Sequence, residues 1–166
     1  MHQQLKAYLK DGKVIDNSYQ LVSADSQTLP VGDILVSADY WKANQQQLSE
    51  HSGNVGVWID SHEEIEDFAG SIAAVPVIAI NFPKFVDGRG FSTARLLCER
   101  YGYIGEIRAI GNFIRDQLFM MQRCGFNAFQ FESEIDLAAA SKSFNDFSDS
   151  YQVAVDQPEP LFKRHR

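Results

Sequence analysis

Five short runs of β-branched and aromatic residues recur along the chain from residue 33 onward, and helical patterns of apolar residues separate them. The runs lie at 33–37, 55–60, 77–82, 104–110 and 126–131. Each run is apolar almost throughout, which is typical of a parallel strand that is buried on both faces. Strands that alternate with helices predict consecutive βα units. We therefore expect an α/β fold with a five-stranded, mostly parallel sheet.

The sequence predicts the number of βα units more firmly than it predicts their arrangement in space. Five βα units are too few for a closed eight-stranded barrel, which takes about 250 residues. We predict an open twisted sheet with helices on both faces, and a partial (β/α) barrel is the alternative. In both architectures ligands bind beyond the carboxyl ends of the strands, so functional residues are expected at that edge.

The length of 166 residues fits one α/β domain. Residues 1–24 alternate apolar and polar positions around the dipeptide Asp11-Gly12, which predicts a β-hairpin appendage. Residues 33–151 form the predicted βα core. Residues 152–166 contain two prolines and a basic end without periodicity, so we expect an extended tail.

Composition argues against several functional classes. Lys and Arg total 15 against 22 Asp and Glu, a formal charge of −7, which disfavours binding to a nucleic-acid backbone. No apolar run approaches the roughly 18 residues that a membrane-spanning helix needs, and the N-terminus lacks an apolar signal core. We expect a cytoplasmic protein that does not enter membranes. Two cysteines without a CxxC pair predict neither a metal site nor an iron–sulfur cofactor.

The loop after the third predicted strand, KFVDGRGFS, carries candidates for anion binding. Lys84, Gly88, Arg89 and Ser92 precede a predicted helix, whose free N–H groups and dipole favour an anion. The alternative is an ordinary turn in which the glycines adopt positive φ and Asp87 pairs with Arg89. The sequence leaves both interpretations open.

The fourth predicted strand carries two charges on one face. Glu106 and Arg108 are two residues apart, so their side chains point to the same side of the strand. Because an unpaired buried charge costs several kcal/mol, they are expected to pair with each other or with Asp116 and Arg89. A structural ion-pair network and a functional one are both consistent with this pattern.

The run DGRGFSTARLLCERYGYIGEIRAIGNFIRDQLFMMQRCGFNAF resembles a bacterial family known as domain of unknown function 934. The resemblance covers roughly the C-terminal half of the chain, which departs from the family pattern at Cys98, Asn112 and Asn127. Members are often named as oxidoreductases of sulfite reduction, because their genes tend to lie beside those for sulfite reductase and phosphoadenylylsulfate reductase. The family motif maps onto eleven positions here: Asp87, Gly88, Arg89, Ser92, Arg95, Glu106, Arg108, Asp116, Gln117, Arg123 and Gly125.

The resemblance implies a link to assimilatory sulfite reduction, and three roles follow as expectations. The first is an accessory protein that binds sulfite reductase or a small oxyanion through an arginine-bearing edge. The second is an enzyme, an oxidoreductase by the family's name, with Asp116 or Glu106 as acid/base. The third is a structural scaffold or oligomeric subunit, and a homodimer is left open. We prefer the first, since the chain has no dinucleotide fingerprint, cluster-ligation pattern or redox dithiol. The residues predicted to bind the ligand are Lys84, Asp87, Gly88, Arg89, Ser92, Arg95, Arg108, Gln117 and Arg123.

Overall fold

The computed structural model describes residues 6–145 and Val155. Within these residues one sheet of eight strands forms: β1 Ala7–Lys10, β2 Lys13–Asp16, β3 Gln20–Leu21, β4 Ile34–Ser37, β5 Val55–Asp60, β6 Val77–Phe82, β7 Glu106–Gly111 and β8 Ala128–Phe131. The α-helices of this part of the chain are α1 Ala38–Ala43, α2 Gln45–Ser49, α3 Ala69–Ile72, α4 Arg89–Glu99, α5 Leu118–Arg123 and α6 Leu137–Lys142. Short 3₁₀ helices lie at Ile65–Asp67, Arg115–Gln117 and Ser143–Asn145.

The strands are arranged in the order β2-β1-β8-β7-β6-β5-β4-β3. From β3 to β8 every neighbouring pair is parallel and follows the chain order. All five predicted strands are present, and those at 55–60 and 77–82 have the predicted bounds. The prediction of a five-stranded sheet is wrong, because β3 and the N-terminal hairpin extend the sheet at its two edges.

The N-terminal hairpin has the predicted turn. Asp11 and Gly12 have φ values of 49° and 73°, as a two-residue type I′ turn requires. Its first strand, β1, pairs antiparallel with β8, where Leu9 faces Phe129. The predicted hairpin is therefore present, and it joins the main sheet through the pairing of β1 with β8.

The sheet is strongly curled. Strands β2 and β3 lie at opposite edges, yet only residues 17–19 separate them along the chain. Eight flat strands would place these edges roughly 34 Å apart at about 4.8 Å per strand. The linking residues reach at most about 14 Å between the flanking Cα atoms. The sheet must bend to bring its edges together, so it is an open half-barrel, as the alternative prediction proposed.

The helices pack on the convex face of this half-barrel. The strand order never reverses, and right-handed crossovers then place every connection on the same side. The main core accordingly combines helical residues such as Leu97 and Leu118 with one face of the strands, including Ile59 and Ile80. Helices on both faces, as first predicted for an open twisted sheet, do not occur among the described residues.

The concave face of the sheet carries the alternate strand residues and faces the interior of the half-barrel. A second, smaller apolar cluster lies there and contains no helical residue: Tyr19, Leu35, Trp58, Val77, Ala79 and Ile110. The charged pair of β7 shares this side of the sheet, since Glu106 is opposite Val77 and Arg108 is opposite Ala79. The sequence pattern thus gives the strands one apolar convex face and one mixed concave face.

Three of the predicted strands begin later in the structure than expected. The first begins at Ile34 rather than at residue 33. The fourth predicted strand begins at Glu106 rather than at residue 104, because Ile104 is 99% exposed and precedes the sheet. The fifth begins at Ala128 rather than at residue 126. The predicted tail at 152–166 and the end of the predicted core lie outside the described residues, apart from Val155.

Candidate functional site

Arg108 occupies the middle of β7 on the concave face and its side chain is fully buried. Its Nε donates to Glu106 Oε1 at 2.7 Å. Its Nη1 donates to Asn17 Oδ1 at 3.2 Å and to Gln130 Oε1 at 3.1 Å. The pairing of Glu106 with Arg108, one of the alternatives that the strand periodicity left open, is therefore present.

Glu106 is shared between two cations. Its Oε2 lies 2.8 Å from Lys10 Nζ, and the Tyr8 hydroxyl donates to the same oxygen at 3.5 Å. The hydrogen bond to Glu106 raises the pKa of Lys10. One carboxylate thus faces both Lys10 and Arg108, and this cluster carries a surplus of positive charge on the concave face.

Two tyrosine rings cover the guanidinium group. The Arg108 Cζ lies 4.0 Å from the centre of the Tyr8 ring and 5.1 Å from that of Tyr19, within the range of cation–π attraction. Burial raises the pKa of Tyr19 to about 12 and also raises the pKa of Tyr8. Because the rings shield the guanidinium from water, its polar contacts are made largely within its own plane.

Three buried polar atoms on the concave face have no hydrogen-bond partner among the described residues. They are Arg108 Nη2, Trp58 Nε1 and Asn81 Oδ1. Their residues belong to three consecutive strands of the sheet, β7, β5 and β6. Native proteins satisfy most buried polar groups, so unpartnered atoms on one face mark a candidate binding surface.

The predicted anion loop contains an internal ion pair. Arg89 donates from Nε to Asp87 Oδ1 at 2.9 Å and from Nη2 to Asp87 Oδ2 at 2.6 Å. Asp87 also accepts from the Arg89 backbone N–H at 3.2 Å and from Ser61 Oγ at 2.7 Å. These donors, the Arg89 side chain foremost, hold the pKa of Asp87 well below its ordinary value. An external anion at this loop would compete with a carboxylate of the protein itself.

The helix after this loop begins earlier than the sequence predicts. Gly88 is the N-cap of α4, so Ser92 lies inside the helix with an exposed side chain and does not precede it. Arg95 is exposed and pairs with Glu99 at 3.1 Å on the helix surface. Lys84 is exposed in the loop. These side chains do not converge with Arg108 in any contact between described residues.

Asp116 and Gln117 lie in the 3₁₀ helix after β7. The Gln117 side chain joins two loops, since its Nε2 donates to Phe85 O at 2.9 Å and its Oε1 accepts from Ile114 N–H at 3.0 Å. Asp116 is exposed. Glu106 is the first residue of β7 whereas Asp116 follows the last, so the two predicted acid/base carboxylates lie at opposite ends of that strand.

Arg123 belongs to the helical layer. It is the last residue of α5, is buried, and lies 5.9 Å from the centre of the Phe119 ring. Its carbonyl accepts from Val155 N–H at 3.0 Å. The two faces of the sheet thus separate Arg123 from Arg108.

Sequence reasoning missed six residues of the concave cluster: Tyr8, Lys10, Asn17, Tyr19, Trp58 and Gln130. Period-two alternation does place Tyr8 and Lys10 on one side of β1. The sequence offers no local signal that β1 pairs with β8 or that the sheet curls over Tyr19. Those tertiary features bring Tyr8 and Tyr19 to Arg108 and bring Lys10 to Glu106.

Metal and thiol chemistry have little support in the described residues. No group of three or more His, Cys, Asp and Glu side chains is arranged there to hold a metal ion. Burial raises the pKa of the Cys98 thiol, which disfavours the reactive thiolate. Within the same residues, no helix combines the length and apolar character needed to span a membrane.

The fold and the buried arginine define a curled α/β half-barrel with a polar, cationic cluster inside its concave face. The chain belongs to the family described as bacterial protein of unknown function (DUF934), whose model matches residues 56–162. No curated protein and no solved structure matches the chain.

Proposed function

We propose that the protein is a cytoplasmic accessory of assimilatory sulfite reduction that binds a small oxyanion at Arg108. The observation that carries this proposal is the buried guanidinium with an unpartnered Nη2. The family resemblance supports the link to sulfite reduction, and the geometry around Arg108 supports an oxyanion as the ligand.

The charge of the concave cluster supports an anionic ligand. Lys10 and Arg108 share the single carboxylate of Glu106, so an added anion would balance the remaining positive charge in a poorly solvated place. Charge-assisted hydrogen bonds from a guanidinium suit the oxygens of sulfite or sulfate. The site is therefore chemically matched to the anions of this pathway.

The separation of the two carboxylates favours an accessory role over an enzyme. Glu106 is occupied by Lys10 and Arg108, and Asp116 is exposed beyond the far end of β7. General acid/base catalysis requires the group within hydrogen-bond reach of the reacting atom. A single ligand cannot readily meet both carboxylates in this arrangement.

An exposed apolar patch supports a protein partner, and we propose sulfite reductase. Phe85, Val86 and Ile114 are 50%, 71% and 44% exposed. They lie on the two loops that the Gln117 side chain joins. Exposed apolar side chains grouped in this way often mark interaction surfaces.

Growth and binding test the oxyanion proposal together. A deletion strain should fail on sulfate and recover on sulfide or cysteine, and calorimetry should detect sulfite or sulfate binding to the purified protein. The double substitution Glu106→Gln with Arg108→Met, which removes both buried charges, should abolish binding and complementation. Arg100→Gln, at an exposed arginine that pairs with Glu66, is the matched control. Normal growth of the deletion strain on sulfate would refute the pathway assignment.

The partner proposal has its own test. Phe85→Ser combined with Val86→Ser should prevent co-elution with sulfite reductase while leaving the circular dichroism spectrum unchanged. The control is Ile104→Ser, because Ile104 is 99% exposed but precedes the amino end of β7. Equal co-elution of both variants would exclude this patch as the docking surface.

A further inference from the structure

Two buried N–H donors without a partner among the described residues, Trp58 Nε1 and Arg108 Nη2, belong to one row of paired residues that runs across the strands on the concave face. Trp58 on β5 is opposite Ala79 on β6, and Ala79 is opposite Arg108 on β7. Across two strand spacings their Cα atoms are about 10 Å apart. In this row Ala79 lies between the two long side chains and contributes only a methyl group.

The remaining contacts of Arg108 restrict how a ligand can approach it. Nε is engaged by Glu106, Nη1 by Asn17 and Gln130, and the tyrosine rings cover the guanidinium. Of the three guanidinium nitrogens, Nη2 is therefore the one that can still donate to a ligand. The ligand therefore cannot use the usual two-nitrogen fork of arginine, and it needs a second donor from elsewhere.

Trp58 supplies such a donor. Its indole packs against the small concave cluster that contains Ala79 and Ile110, and its Nε1–H is buried without a partner among the described residues. Indole N–H is a donor only, so it selects an acceptor atom. The third unpartnered atom, Asn81 Oδ1, lies against Gly111, where an added Cβ would collide with it. As an acceptor, this oxygen cannot donate to an anion.

We propose that Trp58 Nε1–H and Arg108 Nη2–H donate to two oxygens of one small oxyanion that lies over Ala79. This inference rests on the proposed function, and it adds a second binding residue and a size limit. An anion with oxygens on one small central atom, such as sulfite, sulfate or phosphate, spans the two donors. A bulky organic anion would collide with the tyrosine rings.

The two tryptophans of the chain allow a direct test. Trp41 packs on the convex core, on the other side of the sheet, so Trp41→Phe is the matched control for Trp58→Phe. Each purified variant is titrated with the sodium salts of sulfite, sulfate, phosphate, acetate and chloride at constant ionic strength. Calorimetry and intrinsic fluorescence follow binding, and circular dichroism verifies the fold.

We expect wild type and Trp41→Phe to bind at least one tetrahedral or pyramidal oxyanion with a fluorescence change. Trp58→Phe should bind at least about tenfold more weakly, since it keeps an aromatic ring and loses the charge-assisted hydrogen bond. Equal affinity of Trp58→Phe and wild type would overturn the role of Trp58 while leaving oxyanion binding intact. Absence of binding to wild type, or equal binding of chloride, would overturn both proposals.

Discussion

At the scale of single residues, the buried pair of Glu106 and Arg108 dominates the concave face. Their side chains are 4% and 0% exposed and 2.7 Å apart. Buried ion pairs of this kind add little to stability relative to a pair of apolar side chains. Removing only one partner, however, leaves an uncompensated buried charge. The contribution of each residue to the free energy of unfolding is thus expected to depend strongly on the presence of the other.

A double-mutant cycle measures this dependence. Arg108→Met alone should lower the free energy of unfolding by about 3–5 kcal/mol, since Glu106 loses its fully buried partner. Adding Glu106→Gln should restore a large part of that loss. Urea denaturation measures all four proteins. The surface pair of Arg95 and Glu99 is the control, where each removal should cost less than about 1 kcal/mol.

The Asp87 carboxylate should make stability depend on pH. Its pKa in the folded protein is below the ordinary 3.8, so its contribution is full above that value and is lost as pH falls through the folded pKa. The difference in unfolding free energy between wild type and Asp87→Asn should be constant above about pH 5 and shrink below about pH 4. Urea denaturation from pH 7 to 3 measures it. A difference that does not change with pH would contradict the assignment.

At the scale of elements, helix α4 lies unusually close to strand β6. A Cβ on Gly90 would stand 2.6 Å from the Phe82 ring and 3.1 Å from Ile80 Cγ2. Both neighbours are fully buried. The helix can therefore approach the sheet at this turn only because the position lacks a side chain.

Two alanine substitutions at the start of α4 test this contact. Gly90→Ala should destabilise the protein by about 1–3 kcal/mol through overpacking. Gly88→Ala should be neutral or slightly stabilising, because an added Cβ meets nothing within 4 Å and φ is −82°. Thermal melts of the two variants give the comparison. Similar losses of stability in the two variants would mean that the lost backbone freedom of glycine, and not packing against β6, explains the effect.

The elements themselves were largely predictable from sequence, and their partners were not. Strands β5 and β6 match their predicted bounds, since runs buried on both faces give a strong local signal. Strand β3 has only two residues and so lacks a periodic pattern. Period two placed Glu106 and Arg108 on one face of the strand, and their pairing was one of the alternatives that it left open. The positions of Trp58 and Tyr19 beside it depend on the curl of the sheet, which no local pattern encodes.

At the scale of the whole molecule, the curled sheet encloses tyrosines that water would otherwise reach. Burial raises the pKa of Tyr8 and Tyr19 on the concave face, and it also raises the pKa of Tyr103 in the main core. A raised pKa in the folded state adds stability below the ordinary tyrosine pKa of about 10, and this stability is lost as pH rises further. The half-barrel should therefore be sensitive to alkali.

An alkaline titration tests this expectation. Absorbance at about 295 nm, where tyrosinate absorbs, follows the ionisation of the tyrosines, whose ordinary pKa is about 10. The buried ones should ionise only at higher pH, together with loss of the circular dichroism signal. Tyr19→Phe should remove part of the delayed absorbance change. If every tyrosine ionised at the ordinary pKa with the fold intact, the enclosed interior would be contradicted.

The pairing of β1 with β8 also bears on how the protein is made. The ribosome releases the hairpin first, but its partner strand β8 emerges only after the five strands in between. Until then, the backbone groups at the edges of β1 and β7 lack their native partners, and such edges favour aggregation. Residues 17–19 connect the hairpin to β3, so the hairpin stays close to that strand throughout. The pairing of β1 with β8 should therefore be a late intramolecular step, in which the hairpin joins the strand of the sheet that is synthesised last.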